Sequence, residues 1–583
     1  MKWQVRSKAP SAFFKKFPEY SSLISQLLYN RELKTQEQID EFFNPDFGED
    51  IHDPYLLKGM KKATERIKRA IEKHEKIFVY GDYDADGVCS TAILYLTLKE
   101  LGAKDPGIYI PDRDKEGHGL NKGSIKELAK SGVKLIITVD CASSDIEEVD
   151  LANSLGVDVI ITDHHQLRDE LPKAVSIINP FQKGDKYPFK GLAGAVIAYK
   201  LACALLSKEA LLKKWLLDLA AIATVADMMP IMGENRTLVK YGLGVLAQTK
   251  WLGLSELMKT AQISPKVIKA SSNGEVPVTN LDSYTLAFVI GPRLNAAGRM
   301  DHANNAFHLL IAENQKDAEV LAKQLNQNNK ARQGLTDKIV KEIKARLDKQ
   351  FSQDKGPKLI FEGSQDWPVG LLGLVAGKIS DKYRRPTIIY QEKGDIICAS
   401  CRGVPQFNLI KMIEESAKYF DDFGGHKEAA GFRMEKKNLN KVKDAFIKEA
   451  EEKIKTEELV SILDIDVEVL LDQINWQNYD QIERFEPFGR FNPKPRFLTK
   501  AVEIGDLRTV GSNNNHLKME LVMFDNESKT AKSFKAIGFY LGKWQEELKK
   551  GDLIDLVFEF LVDEWNGQRN LQIKIVDLKK TKD

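Results

Sequence analysis

Short apolar runs of β-strand type recur in the first half of the chain, and three of them lead directly into acidic or imidazole side chains. The runs are KIFVYG at 76–81, LIIT at 135–138 and VDVIIT at 157–162, with helix-like segments between them. Strand and helix patterns alternate from about residue 62 to about residue 240, which predicts an α/β unit with a parallel sheet. The strings that follow the three runs are GDYDADG at 81–87, VDC at 139–141 and DHH at 163–165.

These three strings predict one metal site. In an open parallel sheet, the loops at the carboxyl ends of neighbouring strands converge on one crevice. The crevice would hold Asp82, Asp84, Asp86, Asp140, Asp163, His164 and His165. So many carboxylates repel one another unless cations lie among them, and mixed oxygen and imidazole ligands suit Mn²⁺ or Mg²⁺. The pattern indicates a two-metal hydrolase, although GDYDADG taken alone also fits a calcium-type loop or a simple turn.

The second half of the chain changes character twice. Residues 313–350 carry apolar side chains at helical spacing among many charges, which predicts a long, partly exposed connecting helix. A second α/β unit follows, from about residue 356 to about residue 455. Beyond it, LKMELVMF at 517–524 alternates, and 553–576 has the pattern of two strands around an Asn566-Gly567 turn. Short strands with tight turns predict a small β-barrel.

Composition restricts the cellular setting more than the chemistry. The chain has 583 residues, too many for one core, and a net charge of only +2. Any contact with nucleic acid must therefore come from local basic patches. The five cysteines are odd in number and scattered, which favours a reducing cytoplasm over a disulfide framework. We expect no membrane insertion, because no apolar run reaches about 18 residues.

Further strings carry a resemblance to a known family. They are EGHGLN at 116–121, LAGAVIAYKL at 192–201, ATVADMMP at 223–230, GPRLNAAGRMD at 291–301, WPVGLLGLVAGKI at 367–379, ASCRGV at 399–404 and GGHKEAAGF at 424–432. With the DHH string, this ordered set resembles the DHH phosphoesterase superfamily and, within it, the bacterial RecJ single-strand-specific 5′ exonucleases.

The resemblance implies two α/β lobes joined by a long helix, with a C-terminal β-barrel of OB type. The implied limits are an N-terminal segment at 1–50, a DHH catalytic core at 51–312, the connecting helix at 313–350, a DHH-associated substrate-binding domain at 351–457 and an OB-like nucleic-acid-binding domain at 458–583.

The resemblance also assigns roles at the metal site. The implied ligands of two Mn²⁺ or Mg²⁺ ions are Asp82, Asp84, Asp86, Asp140, His164 and Asp227, with Asp140 bridging. The implied catalytic residues are Asp140, His164 and His165, and His165 would face the scissile phosphate. Asp163 would orient a histidine. Tyr80 stands where the superfamily commonly has histidine, so Asp82 supplies either the missing oxygen ligand or a hydrogen bond within the site.

Substrate contacts are implied in both lobes. The residues are Arg293, Asn295, Arg299, Ser400, Arg402, Gly424, Gly425 and His426. Arginine offers a planar pair of donors to phosphate, and glycine lets the main chain approach it. By itself, GGHKEAAGF also fits a glycine turn before a helix. The chain departs from relatives at Pro368 and His118, where histidine and tyrosine are usual, and at Phe491, where glycine is usual.

The implied function is metal-dependent hydrolysis of single-stranded DNA from the 5′ end to 5′-mononucleotides, in DNA repair and recombination. A monomer that contacts single-strand-binding protein and a RecQ-type helicase is expected from the same resemblance. Two alternatives stay open: a DHH phosphodiesterase acting on short oligonucleotides or cyclic dinucleotides, and a catalytically silent DHH scaffold that binds DNA.

Overall fold

The computed structural model describes residues 1–269, 277–351, 356–455, 459–525, 530–565 and 568–581. The strands are β1 Lys2–Val5, β2 Lys76–Tyr80, β3 Gly107–Tyr109, β4 Val133–Val139, β5 Asp158–Thr162, β6 Ser176–Ile178, β7 Val267–Lys269, β8 Val278–Thr279, β9 Ile360–Ser364, β10 Thr387–Lys393, β11 Ile396–Arg402, β12 Asp422–Gly425, β13 Ala429–Glu435, β14 Ile462–Ile465, β15 Val467–Glu468, β16 Phe497–Val510, β17 His516–Asp525, β18 Thr530–Gly538, β19 Leu553–Trp565 and β20 Gln568–Lys580.

The helices are α1 Ser11–Lys16, α2 Ser22–Asn30, α3 Gln36–Phe43, α4 Met60–Glu72, α5 Ala85–Glu100, α6 Lys122–Lys130, α7 Ile146–Ser154, α8 Gly194–Leu205, α9 Leu212–Trp215, α10 Leu217–Ala226, α11 Gly233–Leu246, α12 Leu252–Thr260, α13 Gly291–Met300, α14 Asn304–Leu310, α15 Gln315–Phe351, α16 Val369–Tyr383, α17 Leu409–Glu415, α18 Leu439–Lys453 and α19 Trp476–Glu483. A π-helix, Thr285–Ile290, leads directly into α13.

The chain forms two compact units. One comprises Asp46–Met229 and Thr237–Val460, and the other comprises Met1–Pro45, Pro230–Arg236 and Ser461–Asp583. The first unit therefore contains both predicted α/β lobes. The domain limits given above, at 50, 312, 350 and 457, stay predictions.

A five-stranded parallel sheet forms the core of the first lobe. Its order is β3-β2-β4-β5-β6, and every neighbouring pair is parallel. The apolar runs of β2, β4 and β5 are largely buried because helices cover a parallel sheet on both faces. The three predicted strands and the α/β fold class are confirmed.

The long helix and the second lobe follow in the same unit. α15 has 37 residues, so it is about 55 Å long. Of its apolar residues, Leu325, Ile339, Ile343 and Leu347 are buried. The second lobe is a mixed sheet of order β12-β13-β11-β10-β9. GGHKEAAGF lies in the β12–β13 hairpin of this sheet, so the alternative of a glycine turn before a helix is wrong.

The other unit is built around a barrel. Strands β16, β17, β18, β20 and β19 form a sheet that closes through pairing of β16 with β19, which confirms the predicted OB-type barrel. Phe13, Leu27 and Phe43 of the N-terminal helices share one apolar core with the barrel residues Phe497 and Phe558. β1 also pairs in parallel with β14. The predicted Asn566-Gly567 turn lies outside the described residues.

Over the described ranges, none of the helices combines the length and the apolar character that crossing a bilayer requires.

Candidate metal centre

The order of strands in the parallel sheet explains where the acidic loops meet. The chain passes from β2 to β3 on one side and then returns to β4 on the other side of β2. The carboxyl ends of β2 and β4 therefore lie at the topological switch point, where open α/β sheets bind ligands. Asp82 and Asp84 follow β2, and Asp140 follows β4.

Two of the acidic side chains are fixed by helix N-termini. Asp84 is the N-cap of α5, and its Oδ1 accepts hydrogen bonds from the main-chain N–H groups of Asp86 (2.9 Å) and Gly87 (3.0 Å). Asp86 accepts from the N–H groups of Gly194 (2.8 Å) and Ala195 (2.6 Å), which open α8. The N–H groups at each helix end hold the carboxylate in one orientation.

Asp140 occupies a strained and crowded position. Its φ is 61°, a left-handed conformation that is uncommon for residues other than glycine. A Cβ added to Gly194 would lie 2.7 Å from Asp140 Cβ and Oδ1. The absence of a side chain at Gly194 therefore makes room for Asp140 in the centre of the site.

The ligand atoms of six residues form two groups within coordination reach of one another, and a third such group, Asp140, His164 and His165, overlaps both. One group is Asp82, Asp84 and Asp140, and the other is Asp86, His164 and Asp227. His164 Nε2 lies 3.1 Å from Asp140 Oδ1 and 3.6 Å from Asp227 Oδ2, so the groups adjoin at Asp140. Asp227 is the C-cap of α10, and its position brings the last predicted ligand to the others.

The donor set fits two hard divalent cations. Asp82 Oδ1 and Asp140 Oδ1 are buried acceptors without a hydrogen bond, and an imidazole nitrogen lies 3.1 Å from each. Burial and the charges of Asp82 and Asp86 raise the pKa of Asp84 to about 6. The pKa of Asp140 also lies well above its usual range because of burial and the neighbouring carboxylates. Bound Mn²⁺ or Mg²⁺ would neutralise this repulsion and occupy the open acceptors.

His165 is held by Asp163 beside these groups. Its Nδ1 lies 2.7 Å from Asp163 Oδ1, and the side chain is half-exposed. Burial acts to lower the pKa of His165, but the hydrogen bond and charge of Asp163 outweigh it and raise the pKa to about 9. Burial would raise the pKa of Asp163, yet hydrogen bonds from His165 and Ser143 lower it below its usual range. The Asp163 carboxylate therefore favours the protonated form of the His165 ring.

His118, at the position where relatives usually have tyrosine, also faces the centre. Its Nδ1 lies 3.1 Å from Asp82 Oδ1, and its ring centroid lies 5.5 Å from that of His165. Burial acts to lower the pKa of His118, but Asp82 raises it above the usual value.

Four arginines form a cationic cluster next to Asp84. Burial and then the charges of Arg113, Arg332 and Arg402 lower the pKa of Arg299 to about 9, while Asp84 acts to raise it. Arg299 Nη1 donates to the Gly370 carbonyl (2.9 Å). Partly buried guanidinium groups that repel one another attract an anion, so this guanidinium cluster is suited to a phosphate.

The second lobe supplies part of that cluster from β11. Arg402 Nη1 donates to the Cys401 carbonyl (2.8 Å) and, at 3.4 Å, to Ser400 Oγ. A Cβ at Gly373 would lie 2.9 Å from Arg402 Nη2 and 3.1 Å from Ser400 Oγ, so α16 passes close to both side chains.

Other predicted substrate residues make different contacts. Asn295 Oδ1 accepts from the N–H of Ala85 (2.8 Å), which ties it to the metal-binding loop. Arg293 donates to the Val289 carbonyl (2.7 Å) and to Asn326 of α15 (3.1 Å). Its guanidinium group is therefore hydrogen-bonded to the long helix.

The glycine-rich turn of the second lobe lies beside Arg402. Gly425 has φ 137°, and a Cβ there would lie 2.4 Å from the Ala429 carbonyl oxygen, so the hairpin requires glycine. His426 is exposed, and its Nδ1 accepts from the N–H of Glu428 (3.3 Å). The Glu428 carbonyl in turn accepts from Gly403 N–H (2.7 Å).

Two arginines of this cluster were not predicted from the sequence. Arg113 follows β3 at the same edge of the sheet, with its guanidinium 4.9 Å from the Tyr83 ring centroid, so the rule that located the acidic loops could have located it. Arg332 lies within α15, where its Nε is buried without a partner, and helical periodicity gave no signal for it.

Three family profiles match this chain. They are described as the DHH family, N-terminal domain (residues 76–224), the DHHA1 domain (residues 356–456) and the RecJ OB domain (residues 465–577).

Known proteins match over most of the chain. The single-stranded-DNA-specific exonuclease RecJ of Bacillus subtilis is 37% identical over 558 residues, which cover 95% of this chain and 67% of that protein. The protein of the same name from Haemophilus influenzae is 29% identical and covers 95% of each chain. The crystal structure of Thermus thermophilus RecJ in complex with Mn²⁺ has a TM-score of 0.82 at 25% identity, covering 100% of this chain and 80% of that one.

Proposed function

Because this chain belongs to the RecJ family of single-stranded-DNA-specific exonucleases, we propose that it degrades single-stranded DNA from the 5′ end to 5′-mononucleotides in a metal-dependent reaction. One observation carries the proposal. Two groups of metal ligands adjoin at Asp140, and a guanidinium cluster lies next to Asp84. The site can therefore hold both the cations and the phosphate that phosphodiester hydrolysis needs.

The two ligand groups support a role for each side chain. Asp82, Asp84 and Asp140 would hold one ion, and Asp86, His164 and Asp227 would hold the other. Paired Mn²⁺ or Mg²⁺ ions supply a water of lowered pKa and neutralise charge on the phosphate. Asp140 links the two ligand groups. Its carboxylate belongs to the first group, and its Oδ1 lies 3.1 Å from Nε2 of His164 in the second group.

The protein's own donors act on the phosphate and the leaving oxygen. In the proposal, Arg299, Arg402 and Arg113 bind the 5′-phosphate and so place the first phosphodiester at the metal ligands. His165, whose protonated form Asp163 favours, donates its Nε2 proton toward the leaving 3′-oxygen, while Asp163 keeps Nδ1 protonated and fixes the ring. The predicted roles of Gly424 and His426 as further phosphate contacts stay part of this proposal.

The two alternatives lack support from the same observations. A silent scaffold would not need six converging ligands with two open buried acceptors. An enzyme for cyclic dinucleotides or very short oligonucleotides would not need a barrel of OB type. The barrel favours a longer single strand as substrate.

The setting of the enzyme is proposed from the resemblance and from the cysteines. All five cysteines lie in the described part of the chain, and none forms a disulfide, which supports the cytoplasm. We also propose a monomer, a role in DNA repair and recombination, and contacts with single-strand-binding protein and a RecQ-type helicase.

An end-labelling experiment tests the polarity. A single-stranded oligonucleotide labelled at either end is incubated with the protein and Mn²⁺ or Mg²⁺. The 5′ label should appear at once as a mononucleotide, whereas the 3′ label should shorten stepwise. Early release of the 3′ label as a mononucleotide would contradict the polarity, and internal fragments from the start would contradict exonuclease action.

A second experiment tests the role of His165. His165→Asn keeps a polar side chain but removes the proton donor. We expect kcat to fall about 10²- to 10⁴-fold with little change in Mn²⁺ affinity. If kcat were unchanged, His165 would not act on the leaving oxygen.

A further inference from the structure

Two large aromatic side chains are exposed side by side at the start of the π-helix. Tyr284 and Phe288 are 62% and 63% exposed, and their ring centroids lie 4.8 Å apart at an interplanar angle of 34°. Leu286 and Ile290 of the same turn are fully buried. The segment thus has an ordinary apolar face toward the core and a second apolar face toward solvent, where aromatic residues of this size are uncommon.

This aromatic pair lies on an element that runs along the metal centre. The π-helix continues into α13, and a Cβ at Gly291 would lie 3.1 Å from Ala226 Cβ, next to the ligand Asp227. Further along α13, Asn295 bonds to the metal-binding loop, and Arg299 belongs to the guanidinium cluster. From Gly291 to Arg299 the helix rises about 12 Å.

The two ends of α13 therefore border different ligand groups. The guanidinium cluster adjoins Asp84 of the first group, and the aromatic pair is joined through Gly291 to the helix that ends at Asp227 of the second group. A strand whose 5′-phosphate lies among the guanidinium groups would continue past the metal ligands toward the aromatic pair.

We propose that Tyr284 and Phe288 form a stacking platform for bases of the single-stranded DNA substrate, on the 3′ side of the scissile phosphodiester. The inference rests on the proposed function and names the residues that would recognise the unpaired strand. Bases are available for stacking on a protein ring only where they are not paired and stacked in a duplex. The platform would therefore favour single strands without reading their sequence, since every base has an aromatic face.

The test compares Tyr284→Ala/Phe288→Ala with the parent on two 5′-phosphorylated oligonucleotides in Mn²⁺. One oligonucleotide is intact, and the other is abasic at the third to fifth nucleotides. Tyr284→Phe/Phe288→Tyr keeps both rings and is the matched control. A 5′-phosphorylated dinucleotide, too short to reach the platform, reports on the catalytic centre alone.

We expect KM of the alanine variant to rise about 10- to 100-fold on the intact oligonucleotide and less than twofold on the abasic one. The ring-swap control and turnover of the dinucleotide should match the parent. An unchanged KM on the intact strand would overturn the proposal and point to a protein-docking surface. An equal rise on both oligonucleotides would also overturn it, because the residues would then act on the fold. If the parent itself degraded neither strand, the proposed function would fail instead.

Discussion

Gly194→Ala perturbs the metal centre by a single methyl group. Gly194 opens α8, and its N–H donates to Asp86 Oδ2 (2.8 Å). The added Cβ would lie 2.7 Å from both Cβ and Oδ1 of Asp140 and 2.9 Å from its Cγ. Carbon atoms normally approach to about 3.5 Å, so Asp140 or α8 must move by about 0.8 Å.

The structure allows the size of the effect to be estimated. Alanine in a helix is favoured over glycine by about 0.5–1 kcal/mol, whereas overpacking a tight site costs about 1–3 kcal/mol. The net loss in the free energy of unfolding should be about 0–2.5 kcal/mol. The effect on catalysis should be larger, since a displacement of about 1 Å in a catalytic geometry costs about 10²-fold in rate.

The assay measures kcat/KM on a single-stranded oligonucleotide together with calorimetric Mn²⁺ titration. Gly334→Ala is the matched control, because a Cβ at this position in α15 meets no atom within 4 Å. The control should keep full activity and gain about 0.5–1 kcal/mol of stability. If Gly194→Ala kept both Mn²⁺ affinity and kcat/KM within twofold of the parent, Asp140 would not be confined as described.

Three further predictions concern single side chains. Asp140→Asn should abolish hydrolysis while the melting temperature of the metal-free protein stays equal or rises, because a buried repelling charge is removed; retained activity in Mn²⁺ would exclude Asp140 from the centre. Arg402→Ala should raise KM for a 5′-phosphorylated strand about 10-fold or more without weakening Mn²⁺ binding; equal loss of metal affinity would contradict its assignment to phosphate. Burial raises the pKa of Asp218 to about 7 despite hydrogen bonds from Thr249 and Trp251. The folded state then binds more protons than the unfolded state between about pH 4 and 7, so stability should fall as pH rises through that window, by at most about 1.4 kcal/mol per unit. Asp218→Asn should make this slope shallower in thermal melts, although Asp84 and Asp140 contribute to it in the same direction, and an unchanged slope would show that Asp218 has no part in it.

The acidic loops could be predicted from the sequence because a local rule governs them. Asp84, Asp140 and His164 each follow a buried parallel strand, and such loops must meet at the carboxyl edge of the sheet. The long helix and the barrel strands were also readable from local periodicity. The contacts that depend on packing between distant elements could not be predicted from local periodicity.

Three features illustrate what local patterns lack. Arg332 is one polar residue among many on α15, and only the packing of that helix brings it to Arg299. The N-terminal helices gave no sign that Phe13 shares a core with the barrel residue Phe558, because an amphipathic helix does not specify its partner. The aromatic pair Tyr284 and Phe288 has the sequence of ordinary core residues, and only the fold exposes it.

The central claim is a two-metal centre whose two ligand groups adjoin at Asp140. Anomalous diffraction from crystals grown with Mn²⁺ tests this claim most directly. We expect two strong peaks, one among Asp82, Asp84 and Asp140 and the other among Asp86, His164 and Asp227, and the loss of at least one peak in Asp140→Asn. A single peak in the parent, or two peaks that contact neither ligand group, would contradict it.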